Sequence, residues 1–228
     1  MTQTPLRPDL TLPAGLGPSI IERLNRARAD LRMGVPVVLT GDGSAVLAVA
    51  AEALDAVRLE RMRQMGGALV LAITSRRAET LKARAYDGDL ARVLVPGDAT
   101  LGWVQAVADP ADDLNSPMKG PFISQRDGTP DLHRAAIALA KSARLLPAAL
   151  VLPVANPHLL QAEHALTLID MGSAAAVLDL ASPLHSVASA RLPMAVSAAG
   201  RLHVFRPEDG GEEHYAIEIG RASCRERV

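Results

Sequence analysis

The fold class follows from residues 35–50, which read Val35-Pro-Val-Val-Leu-Thr-Gly-Asp-Gly-Ser-Ala-Val-Leu-Ala-Val-Ala50. The apolar run at residues 35–39 predicts a buried strand, and residues 40–44 predict a turn. After the turn, apolar residues recur at helical spacing as far as Met65, so we expect a long helix that ends at Gly66. A buried strand followed by a helix is the repeating unit of α/β folds.

Strand and helix patterns alternate on both sides of this stretch. Pro18 predicts the first residue of a helix that Gly34 closes. Residues 97–128 predict long loops around one short strand at residues 101–107. Further strands are predicted at residues 68–73, 92–95, 148–154 and 174–180, and further helices at residues 131–146 and 157–171. We therefore expect an α/β fold with helices packed on a mixed sheet.

The pattern changes near residue 186. Leu202, Val204, Tyr215 and Ile217 alternate with polar residues on both sides of a turn at residues 207–211, which predicts a β-hairpin that opens a second unit. The predicted organisation is a flexible leader (residues 1–17), an α/β domain (residues 18–185), and the truncated start of a second domain (residues 186–218).

The last ten residues, 219–228, match a reading frame through a common sequencing adapter. We interpret them as an artefact and expect the native protein to continue past residue 218 with a different sequence. Cys224, the single cysteine of the chain, falls in this segment. A disulfide framework or a cysteine zinc site within the chain is therefore not expected.

Composition excludes several classes of function. The chain has 24 Lys and Arg against 25 Asp and Glu, so it lacks the excess positive charge that nucleic acids or anionic membranes attract. Two Phe, two Tyr and one Trp provide few surfaces for stacking bases or sugars. No apolar stretch is long enough for a membrane span, and no signal sequence opens the chain. We expect a cytoplasmic protein without nucleic-acid or membrane partners.

Residues 26–39, Arg26-Ala-Arg-Ala-Asp-Leu-Arg-Met-Gly-Val-Pro-Val-Val-Leu39, are similar to the opening of the 3,4-dihydroxy-2-butanone 4-phosphate synthase family. Further segments resemble that family in order and spacing, namely Gly66 to Arg77, Asp113 to Pro117, and His133 to Val151. The resemblance covers about residues 20–180 and implies the synthase fold for the first domain.

A second resemblance begins at Ala188-Ser-Ala-Arg-Leu-Pro-Met194 and continues at residues 200–205 and 213–217. These segments are similar to the first two strands of GTP cyclohydrolase II, a hydrolase family of riboflavin biosynthesis. The resemblance implies a fused C-terminal cyclohydrolase domain that holds zinc and magnesium, and a homodimer. No cofactor is expected within this chain.

The synthase family carries an acidic loop after its first strand, whose carboxylates bind Mg²⁺ and move protons. The corresponding stretch here, residues 40–46, is short and retains Asp42 alone. The family's G-H-T-E-A resembles residues 132–136, which keep His133 without an acidic neighbour, and the family's glutamate falls near Pro153. Residues 101–109 replace its phosphate loop. We expect a catalytically degenerate domain in which Asp42 and His133 are vestigial, with no metal site.

Two alternatives remain open. One is a divergent active synthase that uses Asp42, Glu52 or His133. The other is a nucleotide-binding α/β module in which residues 41–44 hold a phosphate at a helix N-terminus, although an ordinary turn with a serine cap is the favoured interpretation.

Four further residues are of types that often serve in functional sites, but their spacing favours a structural role. His158 and His164 lie six positions apart on a predicted helix, on different faces, so we expect solvated side chains and no shared metal. Met62 and Met65 follow helical spacing and are expected in the core.

Overall fold

The computed structural model describes residues 16–111, 113–115, 117–178, 183–195, 199–207 and 210–219. Most of the predicted leader, Ser182 at the predicted domain boundary, and residues 220–228 with Cys224 lie outside the described residues. The chain forms two compact units, residues 1–179 and 180–228. Each unit is described by itself.

The first unit contains a six-stranded sheet with strand order β4-β3-β5-β2-β1-β6. Only β1 and β6 run parallel among these neighbours, and the other pairs are antiparallel, so the sheet is mixed. The elements, in chain order, are α1 (Ile20–Arg32), β1 (Val37–Gly41), β2 (Ser44–Ala50), α2 (Ala56–Gln64), β3 (Val70–Thr74), α3 (Ser75–Leu81), β4 (Leu90–Leu94), α4 (Leu101–Ala108), α5 (Asp131–Ser142), β5 (Ala148–Pro153), α6 (Pro157–His164), β6 (Leu168–Asp170) and α7 (Met171–Leu178).

Helices cover both faces of this sheet. One face packs against α1, α5 and α7, and the other packs against α2, α3, α4 and α6. Successive strand residues enter the two cores in turn, so that Val37 and Leu39 lie in one core while Val38 lies in the other. The predicted α/β class, with helices packed on a mixed sheet, is confirmed.

The structure corrects the element that follows β1. Residues 44–50 form strand β2, and β1 turns into it through Asp42 and Gly43, whose φ angles of 47° and 73° are those of a tight hairpin turn. Because both faces of β2 are buried, its residues form a continuous apolar run that cannot be distinguished from a buried helix by periodicity. The helix, α2, begins only after Asp55, whose carboxylate accepts a hydrogen bond from the Arg58 N–H.

Residues 101–107 form helix α4, so the strand predicted there is wrong. The Thr100 hydroxyl caps the helix by accepting a hydrogen bond from the Trp103 N–H at 3.2 Å. Val104 and Val107 are fully buried and lie on one face of the helix. Helical spacing of apolar residues therefore outweighs the β propensity of Trp and Val in this segment.

The last part of the first unit also differs from the prediction. Helix α6 ends early because Ala165 adopts a left-handed conformation with φ of 51°. The strand that follows, β6, lies inside the predicted helix of residues 157–171, and it pairs in parallel with β1 through Val38 and Leu168. Residues 171–178, predicted to begin a strand at residue 174, form α7, in keeping with the high helix propensity of their alanines.

Helix α1 begins two residues later than predicted. Ser19, and not Pro18, sets its start, because the Ser19 Oγ accepts from the Glu22 N–H at 3.3 Å while the Ser19 N–H donates to the Glu22 carboxylate at 2.7 Å. This reciprocal pair is a capping box. Gly34 closes the helix with φ of 69°, as predicted.

The second unit contains a three-stranded antiparallel sheet, formed by β7 (Leu184–Arg191), β8 (Arg201–Pro207) and β9 (His214–Glu218) in that order. The predicted hairpin corresponds to β8 and β9, and β7 adds a strand that the sequence patterns do not predict. Among the helices of the described residues, none combines the length and hydrophobicity needed to cross a lipid bilayer.

Candidate functional site

The turn between β1 and β2 borders two cavities of the first unit. Gly41 and Ser44 form the last pair of the hairpin, so Asp42 and Gly43 alone connect the strands. The Ser44 hydroxyl donates to the Gly41 carbonyl at 2.8 Å and closes the turn. Gly41, Asp42 and Ser44 line both cavities.

Cavity A has a volume of about 350 Å³ and lies between the turn, α5 and α7. Its apolar wall includes Leu132 and Met171, and Arg134 is the only cation among the described residues that line it. The Arg134 guanidinium donates to both carboxylate oxygens of Asp89, at 2.7 and 2.9 Å, and to Asp131 at 2.8 Å. These bonds raise the pKa of Arg134 and lower the pKa of Asp89. The cation of cavity A is therefore already paired.

Cavity B has a volume of about 590 Å³ and lies on the other side of the turn, against β5, the start of α6 and the end of β6. Asp42, His158 and Asp170 are its titratable residues. The Asp170 carboxylate accepts from the main-chain N–H groups of Ser173 at 3.1 Å and Gly172 at 3.3 Å. Hydrogen bonding from Ser173 and Gly172 lowers the pKa of Asp170. Asp170 thus caps the start of α7.

These cavities are poorly suited to a phosphate or a divalent metal. Carboxylates line both cavities. Arg134, whose guanidinium lines cavity A, is bound to the two aspartates Asp89 and Asp131. Asp42 is one carboxylate on a turn, and the oxygens of Asp170 are engaged by helix α7. Within the described part of the chain, no three His, Cys, Asp or Glu residues lie close enough to hold a metal ion. The Mg²⁺ site of the synthase family does not fit these residues.

His133 does not face the turn. The residue is 6% exposed, and neither ring nitrogen has a hydrogen-bond partner among the described residues. Burial, with a further contribution from the positive charge of Arg92, lowers its pKa to about 4. Leu132, its neighbour on α5, is the residue that lines cavity A beside Asp42. The interpretation of His133 as a catalytic relic therefore receives no support from its position.

The remaining candidates lie apart from Asp42. Glu52 follows the far end of β2, where its carboxylate accepts from the Leu146 N–H at 2.6 Å. Asp42, Glu52 and His133 are therefore not brought together. Residues 41–44 connect two strands, so the turn precedes no helix N-terminus and the phosphate cradle of the nucleotide-binding alternative is absent there. Ser44 correspondingly closes the turn and does not cap a helix.

The other histidines and methionines are divided between separate environments. His158 and His164 are both exposed and line different cavities, in agreement with their predicted separation. Met62 is buried in the core as predicted, whereas Met65 is 45% exposed, so its prediction as a core residue is wrong. Met65 follows the end of α2, where the chain leaves the core.

Sequence reasoning missed a buried ion pair beside His133. Arg92 of β4 has a side chain with no solvent exposure, and its guanidinium donates to both oxygens of Asp87 at 2.8 and 3.0 Å. It also donates to the Asp127 carbonyl at 2.8 Å, which fixes the loop before α5. An arginine within a short apolar strand is the signal that could have revealed it, because such a residue must be paired.

A second missed network joins two segments quoted for the family resemblance. Arg77 donates to the carbonyls of Ala106, Val107 and Asp109 at the end of α4, and to both carboxylate oxygens of Asp113. Lys119 also contacts Asp113. Hydrogen bonds from Arg77, then Lys119, hold the pKa of Asp113 far below its ordinary value. The network anchors the loop that follows α4.

Comparison with known proteins identifies a relative by sequence. No family model matches the chain. A protein named GTP cyclohydrolase-2, from Azospirillum brasilense, is 34% identical over 229 residues, an alignment that covers 97% of this chain. Nearly the whole length of this chain is therefore similar to that cyclohydrolase. It spans 59% of the relative's own length.

A solved structure shares the fold. It is the crystal structure of RibBX, described as a two domain 3,4-dihydroxy-2-butanone 4-phosphate synthase from A. baumannii, with a TM-score of 0.52 and 16% sequence identity. The match covers 87% of this chain and 70% of the RibBX chain. The synthase-like fold expected from the sequence is therefore confirmed.

Proposed function

We propose that residues 18–185 form a non-catalytic synthase-like domain of a GTP cyclohydrolase II, and that this domain scaffolds, dimerises or regulates the cyclohydrolase in riboflavin biosynthesis. The similarity to the A. brasilense cyclohydrolase and the fold shared with RibBX support this assignment. The observation that carries the non-catalytic role is the two-residue turn between β1 and β2.

The turn is too short for the synthase reaction. Conversion of ribulose 5-phosphate to dihydroxybutanone phosphate and formate passes through enediolates, which need a metal held by several carboxylates and a positioned acid or base. Asp42 is the only acidic residue between the paired ends of β1 and β2. Of the other acidic residues described in the lining of the two cavities, Asp170 caps α7 and Asp131 accepts a hydrogen bond from Arg134.

The charge around the turn argues against a phosphorylated substrate as well. A sugar phosphate carries about two negative charges, and its binding sites in proteins supply cations or helix N-termini. Cavities A and B offer the carboxylates of Asp42 and Asp170, and their guanidinium, Arg134, is held by Asp89 and Asp131. Asp42, which lines both cavities, would therefore oppose the binding of a phosphate group in either of them.

Residues 186–218 fit the proposal as the start of the cyclohydrolase domain. Strands β7, β8 and β9 form a sheet of their own, as the resemblance to that family implies. The zinc of the cyclohydrolase needs three cysteines, and this chain contains one, so its residues do not fit the metal. The zinc and magnesium chemistry would belong to residues other than those of this chain.

The first test is an assay for the synthase reaction. The chain is incubated with ribulose 5-phosphate and Mg²⁺, formate is measured, and A. baumannii RibBX serves as the positive control. We expect no formate above the protein-free background. Magnesium-dependent formate release that disappears in an Asp42→Asn variant would instead establish the rival function, a divergent synthase.

A second test addresses scaffolding directly. The chain is joined to the part of the A. brasilense protein that follows the aligned region, and the fusion is compared with that part alone in GTP turnover and in molecular mass. We expect the fusion to be dimeric and to turn over GTP faster than the isolated part. If the fusion and the isolated part turn over GTP at the same rate and have the same number of chains per molecule, a scaffolding, dimerising or regulatory role would be contradicted.

A further inference from the structure

A third cavity of the first unit, cavity C, differs from cavities A and B in its charge. It has a volume of about 550 Å³ and lies between helices α2 and α6, near the beginning of β1. Asp42, at the end of β1, lines neither its floor nor its rim. Cavity C is therefore separate from the candidate site at the turn, and its size lies within the range of small-molecule sites.

The floor of cavity C is apolar and fixed in position. Leu47 of β2 and Met62 of α2 are 3% and 2% exposed, so both are held by the core beneath the cavity. Leu160 and Leu166, before and after the end of α6, complete the apolar surface. A ligand that occupies this space gains from burying a hydrophobic body.

The rim carries positive charge that the described residues compensate only in part. Arg58 and Arg61 line the cavity, and no Asp or Glu is among the described residues that line it. Arg58 is partly neutralised, since its Nη1 contacts Asp55 at 2.6 Å. The charge of Arg61 is not neutralised in this way, because its Nη1 donates to the neutral amide oxygen of Gln64 at 3.3 Å. Arg61 thus retains its full charge at the mouth of an apolar cavity.

An apolar floor below the guanidinium of Arg61, which has no carboxylate partner among the described residues, matches one class of molecule. We propose that cavity C binds an organic anion with an apolar body, such as an aromatic or aliphatic phosphate monoester or carboxylate. The apolar body lies on Leu47 and Met62, and the anionic group pairs with Arg61, whose planar fork suits phosphate and carboxylate oxygens. This site is independent of the proposed loss of synthase activity.

The test uses 1-naphthyl phosphate as the probe, titrated into the full chain by calorimetry. Two reference probes separate the contributions: 1-naphthol keeps the apolar body without the charge, and inorganic phosphate keeps the charge without the body. We expect 1-naphthyl phosphate to bind at one molecule per chain, and each reference probe to bind at least about tenfold more weakly.

The variant Arg61→Glu tests the charge. Arg61 is exposed, so the substitution leaves the core intact. We expect it to weaken binding of 1-naphthyl phosphate at least about tenfold, because a charge-assisted pair is replaced by repulsion. The matched control is Arg76→Glu, an equally exposed arginine on α3 that lines none of cavities A, B and C, for which binding within about twofold of the unmodified chain is expected.

Three results would overturn the proposal. The first is an absence of saturable binding of 1-naphthyl phosphate to the unmodified chain. The second is equal affinity for inorganic phosphate or 1-naphthol. The third is binding that Arg61→Glu and Arg76→Glu weaken to the same extent, which would indicate general attraction of anions to the surface.

Discussion

His133 is a titratable side chain held in the interior of the first unit, with no hydrogen-bond partner on either ring nitrogen. The buried cation of Arg92 lies near it, which makes a second positive charge costly there. His133 is therefore neutral in the folded chain over most of the physiological pH range. This property has a measurable effect on stability.

We expect the free energy of unfolding to decrease as the pH falls from 6.5 towards 4. The unfolded chain takes up a proton on His133 near pH 6.5, whereas the folded chain does so only near pH 4, so protonation favours unfolding between these values. The loss attributable to His133 reaches about 3 kcal/mol at the acidic end. Urea unfolding at a series of pH values measures it.

Two variants isolate the contribution of His133. His133→Leu removes the titrating group from the core and is expected to flatten the dependence on pH. Leu139→Val changes a buried residue of the same helix without removing a titrating group, and it should leave that dependence unchanged. A His133→Leu variant that loses stability with falling pH as steeply as the unmodified chain would show that other groups cause the effect.

At the scale of elements, two glycines with similar backbone conformations close different structures. Gly34 ends α1 with φ of 69°, and Gly43 completes the β1–β2 turn with φ of 73°. A Cβ added at Gly43 would meet nothing within 4 Å, whereas one at Gly34 would collide with the Ala53 carbonyl oxygen. The two positions therefore have similar backbone conformations but differ in the room available for a side chain.

We expect Gly43→Ala to destabilise the chain by about 1 kcal/mol, the cost of a left-handed conformation for a residue with a Cβ. Gly34→Ala should cost about 3 kcal/mol or more, because it adds a clash with fixed backbone. Denaturant unfolding of both variants side by side measures the difference. Equal losses would mean that the chain near Ala53 moves aside without cost.

Much of the first unit could be predicted from the sequence. The strands near residues 92–95 and 148–154 were predicted because they are short apolar runs beside proline or glycine. Strand β2 was not, since burial on both faces removes the alternation that marks a strand. The Asp42-Gly43 dipeptide was the signal for a hairpin, and it is more specific than the apolar spacing that favoured a helix.

The candidate site was harder to predict than the fold. Asp42 could be placed at the turn because its position follows from the chain alone. The direction of the His133 side chain could not be predicted, because neighbouring residues on a helix point about 100° apart. A difference of one position along the helix therefore decides whether a side chain lines the cavity or enters the core. The structure places Leu132 at the cavity and buries His133 where the charge of Arg92 on β4 acts on its pKa, a relation between α5 and β4 that no local pattern encodes.

At the scale of the whole molecule, the two units differ in how they are stabilised. The buried hydrophobic residues of the described chain all lie between Leu24 and Ala174, in the first unit. Strands β7 and β9 are exposed along their whole length. A three-stranded sheet whose two outer strands are exposed throughout is at best marginally stable in water.

We expect residues 16–182 alone to fold and to melt within a few degrees of the full chain, since they retain both cores. Residues 183–219 alone should be unfolded by circular dichroism. Calorimetry of the two fragments and of the full chain provides the comparison. A large loss of melting temperature in the first fragment would show that the second unit supports it.

The order of strands in the first sheet sets a sequence of events during protein synthesis. The β1–β2 hairpin leaves the ribosome early, but Val49 must wait for Leu150 of β5, and Val38 must wait for Leu168 of β6. Until then both outer edges of the hairpin present unpaired amides to the solvent. Such late pairing slows folding and exposes the nascent chain to aggregation. The hairpin, whose strands are largely buried in the finished protein, thus waits for most of the first unit to be synthesised before it is covered.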